Sequence, residues 1–134
     1  MDPKDLLSTL KAYYLNNPDL MRYLHINACW EYIIHSNSLK EDNVKLRYFL
    51  YKKDDEKLEA TTENPGITPD LILYFTEESI LEIIQDNPTS DLYFERYHKM
   101  MQDNSHNKVD SKINKSRFTL LRLGYQKWQK DFKF

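Results

Sequence analysis

Pro69-Asp70-Leu71-Ile72-Leu73-Tyr74-Phe75-Thr76-Glu77-Glu78-Ser79-Ile80-Leu81 contains the strand-to-helix corner from which the architecture of this chain can be read. Leu71 to Phe75 is an apolar and aromatic run without alternation, which predicts a central strand covered on both faces. At Thr76 the pattern changes to that of a helix start. Thr76 is a good N-cap, Glu77 and Glu78 sit where carboxylates favour the helix dipole, and Phe75 with Ile80 has the spacing of a hydrophobic staple. Ile80, Leu81, Ile83 and Ile84 then give the helix a broad apolar stripe.

Downstream, Asn87-Pro88 breaks the chain and Thr89 or Ser90 caps a further helix. Tyr93, Tyr97 and Met100 form one row on it, widened by Phe94 and Met101; such a stripe suits either plain core or a ligand lining. Gln102 to Asn107 is a polar loop, and Lys108 to Ile113 alternates well enough for a last edge strand. Ser116 caps a terminal helix carrying Phe118, Leu121, Tyr125, Trp128 and Phe132, in which Gly124 either permits a close contact or marks a kink.

Upstream, Asp2 and Pro3 start a helix through Leu6, Leu7, Leu10, Tyr13 and Tyr14 that ends near Asn16, and Asn17-Pro18 repeats the signal for a second short helix. Cys29 to His35 is aromatic and β-branched and reads as a strand, with a helix as the rival reading. After Ser36-Asn37-Ser38 and the charged Lys40-Glu41-Asp42-Asn43, Val44 to Tyr51 begins as a strand with one wet face. Lys57 to Thr61 pairs back onto it through Lys52-Lys53-Asp54-Asp55. The expected architecture is α+β, an antiparallel sheet of about five strands covered by helices. It forms a single domain over 1–134, with N-terminal helices in 1–26, the sheet with inserted helices in 28–113, and a C-terminal helix in 115–134.

With 134 residues, 40% of them apolar, the chain can bury one real core. Its 30% charged residues, and the lack of an apolar run near 18 residues, argue against a membrane span. The start Met1-Asp2-Pro3-Lys4-Asp5 does not read as a secretory signal, and the single Cys29 cannot form an internal disulfide; both suit the cytoplasm. Cys29 reads as a small buried hydrophobe. Charge is uneven along the chain: residues 108–134 hold eight Lys and Arg against Asp110 and Asp131, a net of +6, on a body of net −8. Such a tail could meet nucleic acid or anionic lipid heads, although pairing with the acidic body, in cis or in a dimer, accounts for it more simply.

The sequence carries no catalytic signature. G-x-S-x-G, Walker, G-x-G-x-x-G and H-E-x-x-H patterns are all missing, and Gly66 and Gly124 alone cannot build a phosphate cradle. Glu77-Glu78 and Asp54-Asp55 have structural reasons to stand at a helix start and a turn. His25, His35, His98 and His106 share no metal-ligand spacing. The best of them, His98 and His106 with Glu95 and Asp103 nearby, is better read as ordinary histidines than as a metal site. The aromatics of the terminal helix follow its apolar face, which argues against a nucleic-acid partner. No enzyme activity and no cofactor are expected.

From Trp30 onward the order of elements resembles the sterol carrier protein type 2 family. The resemblance lies in Pro69-Asp70-Leu71-Ile72-Leu73-Tyr74-Phe75, Thr76-Glu77-Glu78-Ser79-Ile80-Leu81, Asn87-Pro88 with Phe94, and the lysine-bearing Lys108-Val109-Asp110-Ser111-Lys112-Ile113, over about residues 30–125. It implies an α+β layer enclosing an apolar tunnel for sterols, fatty acyl chains or another lipid or hydrophobic small molecule, bound or transferred without catalysis. On that reading Ile72, Tyr74, Leu81, Ile84, Phe94, Tyr97, Met101 and Leu121 surround the tunnel. The alternative is that they fill it, leaving a protein-interaction or dimerisation domain, a possible homodimer, with the basic C-terminal helix as its contact surface.

Overall fold

The computed structural model describes residues 1–40, 42–103 and 107–134. Glu41 of the charged connection and His106 of the polar loop lie outside the described residues. Among those described, β1 (Cys29–His35), β2 (Val44–Asp54), β3 (Lys57–Thr61), β4 (Leu71–Thr76) and β5 (Val109–Ile113) form one sheet in the order β3-β2-β1-β4-β5. The helices are α1 (Pro3–Leu15), α2 (Glu77–Ile84), α3 (Ser90–Gln102), α4 (Arg117–Arg122) and α5 (Tyr125–Asp131), with a 3-10 turn at Pro18–Met21. The class is α+β, as the sequence predicts, and no helix among the described residues is long and apolar enough to cross a membrane.

Three strand pairs are antiparallel; β1 and β4 run parallel. The chain leaves β1, lays the β2-β3 hairpin on one side, and crosses back through residues 62–70 to place β4 on the other, as a parallel neighbour requires. The middle position therefore belongs to β1, where every residue but Glu31 is buried, and not to β4. In β4 Leu73 and Phe75 are buried while Ile72 and Tyr74 stay half-exposed, so the expectation that both faces of this strand are covered is corrected. A strand one place from the edge has one helical cover and one open face.

Local signals placed the helix starts well. Asp2, Thr76, Thr89 and Ser116 each accept a backbone N–H three residues on, from Asp5, Ser79, Leu92 and Thr119, which satisfies a donor that helix geometry leaves open. Asn17 behaves differently. Its amide donates to the Tyr13 carbonyl at 2.7 Å, closing the end of α1 instead of starting a new helix, and Pro18–Met21 makes only the 3-10 turn.

The terminal helix is two helices. Gly124 adopts φ +95°, and a Cβ there would collide with the Tyr23 carbonyl oxygen, so both sequence readings of this glycine hold at once: a break in the helix and a close backbone approach. The Tyr23–Leu24–His25 segment acts as the rail for this corner. His25 N–H donates to the Leu123 carbonyl at 3.0 Å, Trp128 Nε1 donates to the Leu20 carbonyl at 2.8 Å, and Arg22 pairs with Asp131. Lys52 fastens the other side of the rail, its buried ammonium donating to the carbonyls of Met21 and Leu24.

Candidate functional site

Strand register sets which side chains face the helices. The rows Leu50–Trp30–Leu71–Ile113, Tyr48–Tyr32–Leu73–Ser111 and Leu46–Ile34–Phe75–Val109 cross the sheet on its inner face. Over β2 and β3 these rows are covered: Leu6, Leu10 and Tyr14 of α1 join Leu46, Tyr48, Leu50, Leu58 and Ala60 in one buried cluster. Over β4 and β5 the cover is incomplete. There a cavity of about 670 Å³ lies between the sheet, α3, α4 and α5.

Its floor is buried and aromatic. Trp30 and Tyr32 of β1, Leu73 and Phe75 of β4, Tyr93, Phe94 and Tyr97 of α3, and Tyr125 and Trp128 of α5 line it and are nearly inaccessible. Ring contacts lock these walls: Phe94 meets Trp128 edge-on at 5.3 Å, Trp30 meets Trp128 at 5.6 Å, and Phe134 stacks on Trp128 at 4.9 Å. The rim is exposed, formed by Ile113, Leu121 and Phe134 with the polar Ser111, Arg117, Gln126 and Gln129. The site is therefore a cleft with an aromatic base and an exposed rim.

The break at Gly124 leaves the cleft unfilled. A continuous helix would carry Phe118 and Leu121 along the same stripe as Tyr125 and Trp128. Instead α5 turns its aromatics inward against the rail while no residue of α4 is fully buried.

Hydroxyl groups on the floor are already engaged. Tyr32 and Tyr93 share a hydrogen bond of 3.0 Å. Tyr125 donates to Asp70 Oδ2 at 2.6 Å and accepts from Trp30 Nε1 at 2.9 Å. What the floor offers a guest is ring faces and edges. Burial pushes the tyrosine hydroxyls of this floor upward in pKa, for Tyr125 with the Asp70 carboxylate adding to the effect, so they stay protonated near neutral pH.

Asp70 holds the wall in place. Fully buried at the foot of β4, it accepts the Cys29 N–H and the Tyr125 hydroxyl on Oδ2, and Oδ1 pairs with Lys115 at 2.5 Å. The same residue's backbone bonds Cys29 and Asn114. A buried carboxylate is tolerable only when so fully engaged. From sequence Asp70 carries no assigned role; the available signal was a lone acid abutting an apolar run.

Of the eight residues expected around the space, Phe94, Tyr97 and Leu121 line the cleft. Ile72 and Tyr74 do not: they alternate with Leu71, Leu73 and Phe75 and stand on the opposite face of the sheet. A run without polar alternation gives no sign of parity, and a one-residue error reverses the face. Leu81 and Met101 are partly buried against the core, and Ile84 is within it, because α2 and this end of α3 lie beyond the cleft. Sequence reasoning missed Trp30, Leu73, Tyr125 and Trp128. His98 packs against Phe134 with ring centroids 4.2 Å apart and the rings tilted, and its Nε2 lies 3.1 Å from the Phe132 carbonyl, so Nε2 carries the hydrogen. Among the described residues no cluster of three His, Cys, Asp or Glu is placed to hold a metal ion.

No protein-family model matches the chain, and no curated protein matches it either. Solved structures similar to it include sterol carrier protein 2 like 2 from Aedes aegypti, with 12% identity, a TM-score of 0.49, and coverage of 94% of this chain and 93% of that one. The sterol carrier protein domain 2 of Helicoverpa armigera is 13% identical, with a TM-score of 0.44 and coverage of 96% and 85%. Sterol carrier protein 2 from Yarrowia lipolytica, in its apo form, is 11% identical, with a TM-score of 0.44 and coverage of 79% and 68%. All three carry the sterol carrier protein name to which the sequence resemblance points, at 11–13% identity.

Proposed function

We propose that the chain binds a hydrophobic small molecule, such as a lipid, in the aromatic cleft and does no chemistry on it. The observation that carries this reading is the cavity of about 670 Å³ with an inaccessible aromatic floor, a size within the roughly 300–1,000 Å³ of ligand pockets. Burying a hydrocarbon chain there contributes about 0.8 kcal/mol per methylene, less the cost of ordering it. The ionisable groups lining the cleft are Arg117 and tyrosines held protonated. Neither supplies a general base near neutral pH.

Titration with the uncharged dye N-phenyl-1-naphthylamine tests the reading. Saturable fluorescence enhancement is expected, together with lipid adducts of the freshly purified protein in native mass spectrometry. Leu73→Trp, which places an indole on the floor, is expected to weaken dye binding about tenfold. Absence of both dye binding and adducts, in a chain that unfolds cooperatively, would refute the assignment.

A further inference from the structure

We propose that α4 and the end of β5 form a docking surface for anionic lipid bilayers, set at the mouth of the cleft. Phe118 is 72% exposed, Ile113 66% and Leu121 48%, and no residue of α4 is fully buried, Leu120 packing only partly against the core. Helical spacing puts Arg117, Phe118, Leu121 and Arg122 on one face, an apolar pair with a guanidinium at each end. Arg122 lies 6.0 Å from the Phe118 ring, and among the described residues neither arginine has a carboxylate partner. Elsewhere in this basic segment, Lys115 and Lys108 are paired with Asp70 and Glu78.

The chemistry of this face selects its occupant. Aliphatic Ile113 and Leu121 beside an aromatic ring are taken up by hydrocarbon, whereas stacking on nucleic-acid bases uses flat rings. Arginines at both ends can reach phosphate and carboxylate headgroups while their stems remain in the apolar layer. A second copy of this chain would bring Arg117 and Arg122 against their own equivalents, placing like charges together. Ile113, Leu121 and Arg117 also line the cleft, so the surface and the opening are continuous. Docking therefore turns the mouth toward the membrane.

Co-sedimentation of the full chain with phosphatidylcholine vesicles, with and without phosphatidylserine, tests the proposal. Capture by the phosphatidylserine vesicles alone is expected, falling as salt is raised. Phe118→Asp and Arg122→Glu should each lower the bound fraction roughly five- to tenfold. Neither residue lines the cleft, so both variants should keep N-phenyl-1-naphthylamine binding in the absence of vesicles, and Leu73→Trp should keep vesicle capture. Failure of the cleft reading and failure of this one are thereby separate results. The proposal is overturned by equal capture on neutral vesicles, by no capture, or by variants that sediment like the parent. It is overturned too if RNA displaces the chain from vesicles at equal charge, or if Phe118→Asp dissolves a dimer and leaves capture unchanged.

Discussion

The two ends of the inner layer are built from the same kinds of residue and reach opposite outcomes. Under α1, above β2 and β3, aromatic and aliphatic side chains close on one another: Tyr14 and Tyr48 meet hydroxyl to hydroxyl at 2.5 Å, and Tyr32 stacks on Tyr48 at 4.8 Å. Under α4, above β4 and β5, equally aromatic side chains border a cavity that stays unfilled. Composition does not separate the two. What separates them is the covering element: α1 is an unbroken helix of 13 residues with four buried side chains, while the C-terminal cover is split at Gly124, its second half burying Tyr125 and Trp128 and its first half only partly burying Leu120. The Tyr32–Tyr93 pair stands on the boundary between them, belonging to the packed tyrosine network on one side and lining the cleft on the other.

The contrast can be broken most strongly at its closed end. Tyr48→Ala removes a fully buried ring and leaves the Tyr14 hydroxyl without its partner; a loss of about 3–5 kcal/mol in denaturant unfolding is expected. Next comes the corner itself. Gly124→Ala places a Cβ against the Tyr23 carbonyl at a left-handed φ, and about 2–4 kcal/mol should be lost, with dye binding weakened as α5 shifts from its rail.

A third test reads the whole interior through pH. Burial, with the nearby Asp70 carboxylate adding to it, pushes the Cys29 thiol up to about 12, against about 8.5 in an unfolded chain. Above pH 8.5 the unfolded state therefore sheds a proton that the folded state keeps, so stability is full below that pH and falls as pH rises toward 12. At pH 10 the loss is about 2 kcal/mol. Cys29→Ala should flatten the slope between pH 8.5 and 9; as pH approaches 10 the buried tyrosines, also raised by burial, steepen the fall in both proteins. The smallest effect belongs to the open end. Leu121→Ala, at a half-exposed rim position, should change stability by under about 0.5 kcal/mol while weakening dye binding severalfold; a large stability loss there would mean that the cleft closes in solution.

Elements were legible in the sequence where their cause was local. Helix starts at Asp2, Thr76, Thr89 and Ser116 follow from side chains that bond to amides three residues away, and the β2-β3 hairpin follows from alternation and a turn. The site was legible only in part because its causes are distant along the chain. Trp30 and Tyr125 are 95 residues apart and meet through one hydrogen bond anchored on Asp70. The faces of β4 were assigned the wrong way round because Leu71 to Phe75 has no polar residue to mark the outside. Choosing between a filled and an open core required the position of α5, which the Leu20–His25 rail determines and no local pattern announces.

That rail also fixes an order of events during synthesis. Trp128 bonds to Leu20 across 108 residues, so the last wall of the cleft cannot be set until synthesis has passed Trp128. β1 to β4 and α3 are available long before, with Trp30 and Phe94 lacking their cover. Contacts of such long range form slowly, and uncovered aromatic surface is what holdase chaperones grip and what self-associates when it is left waiting.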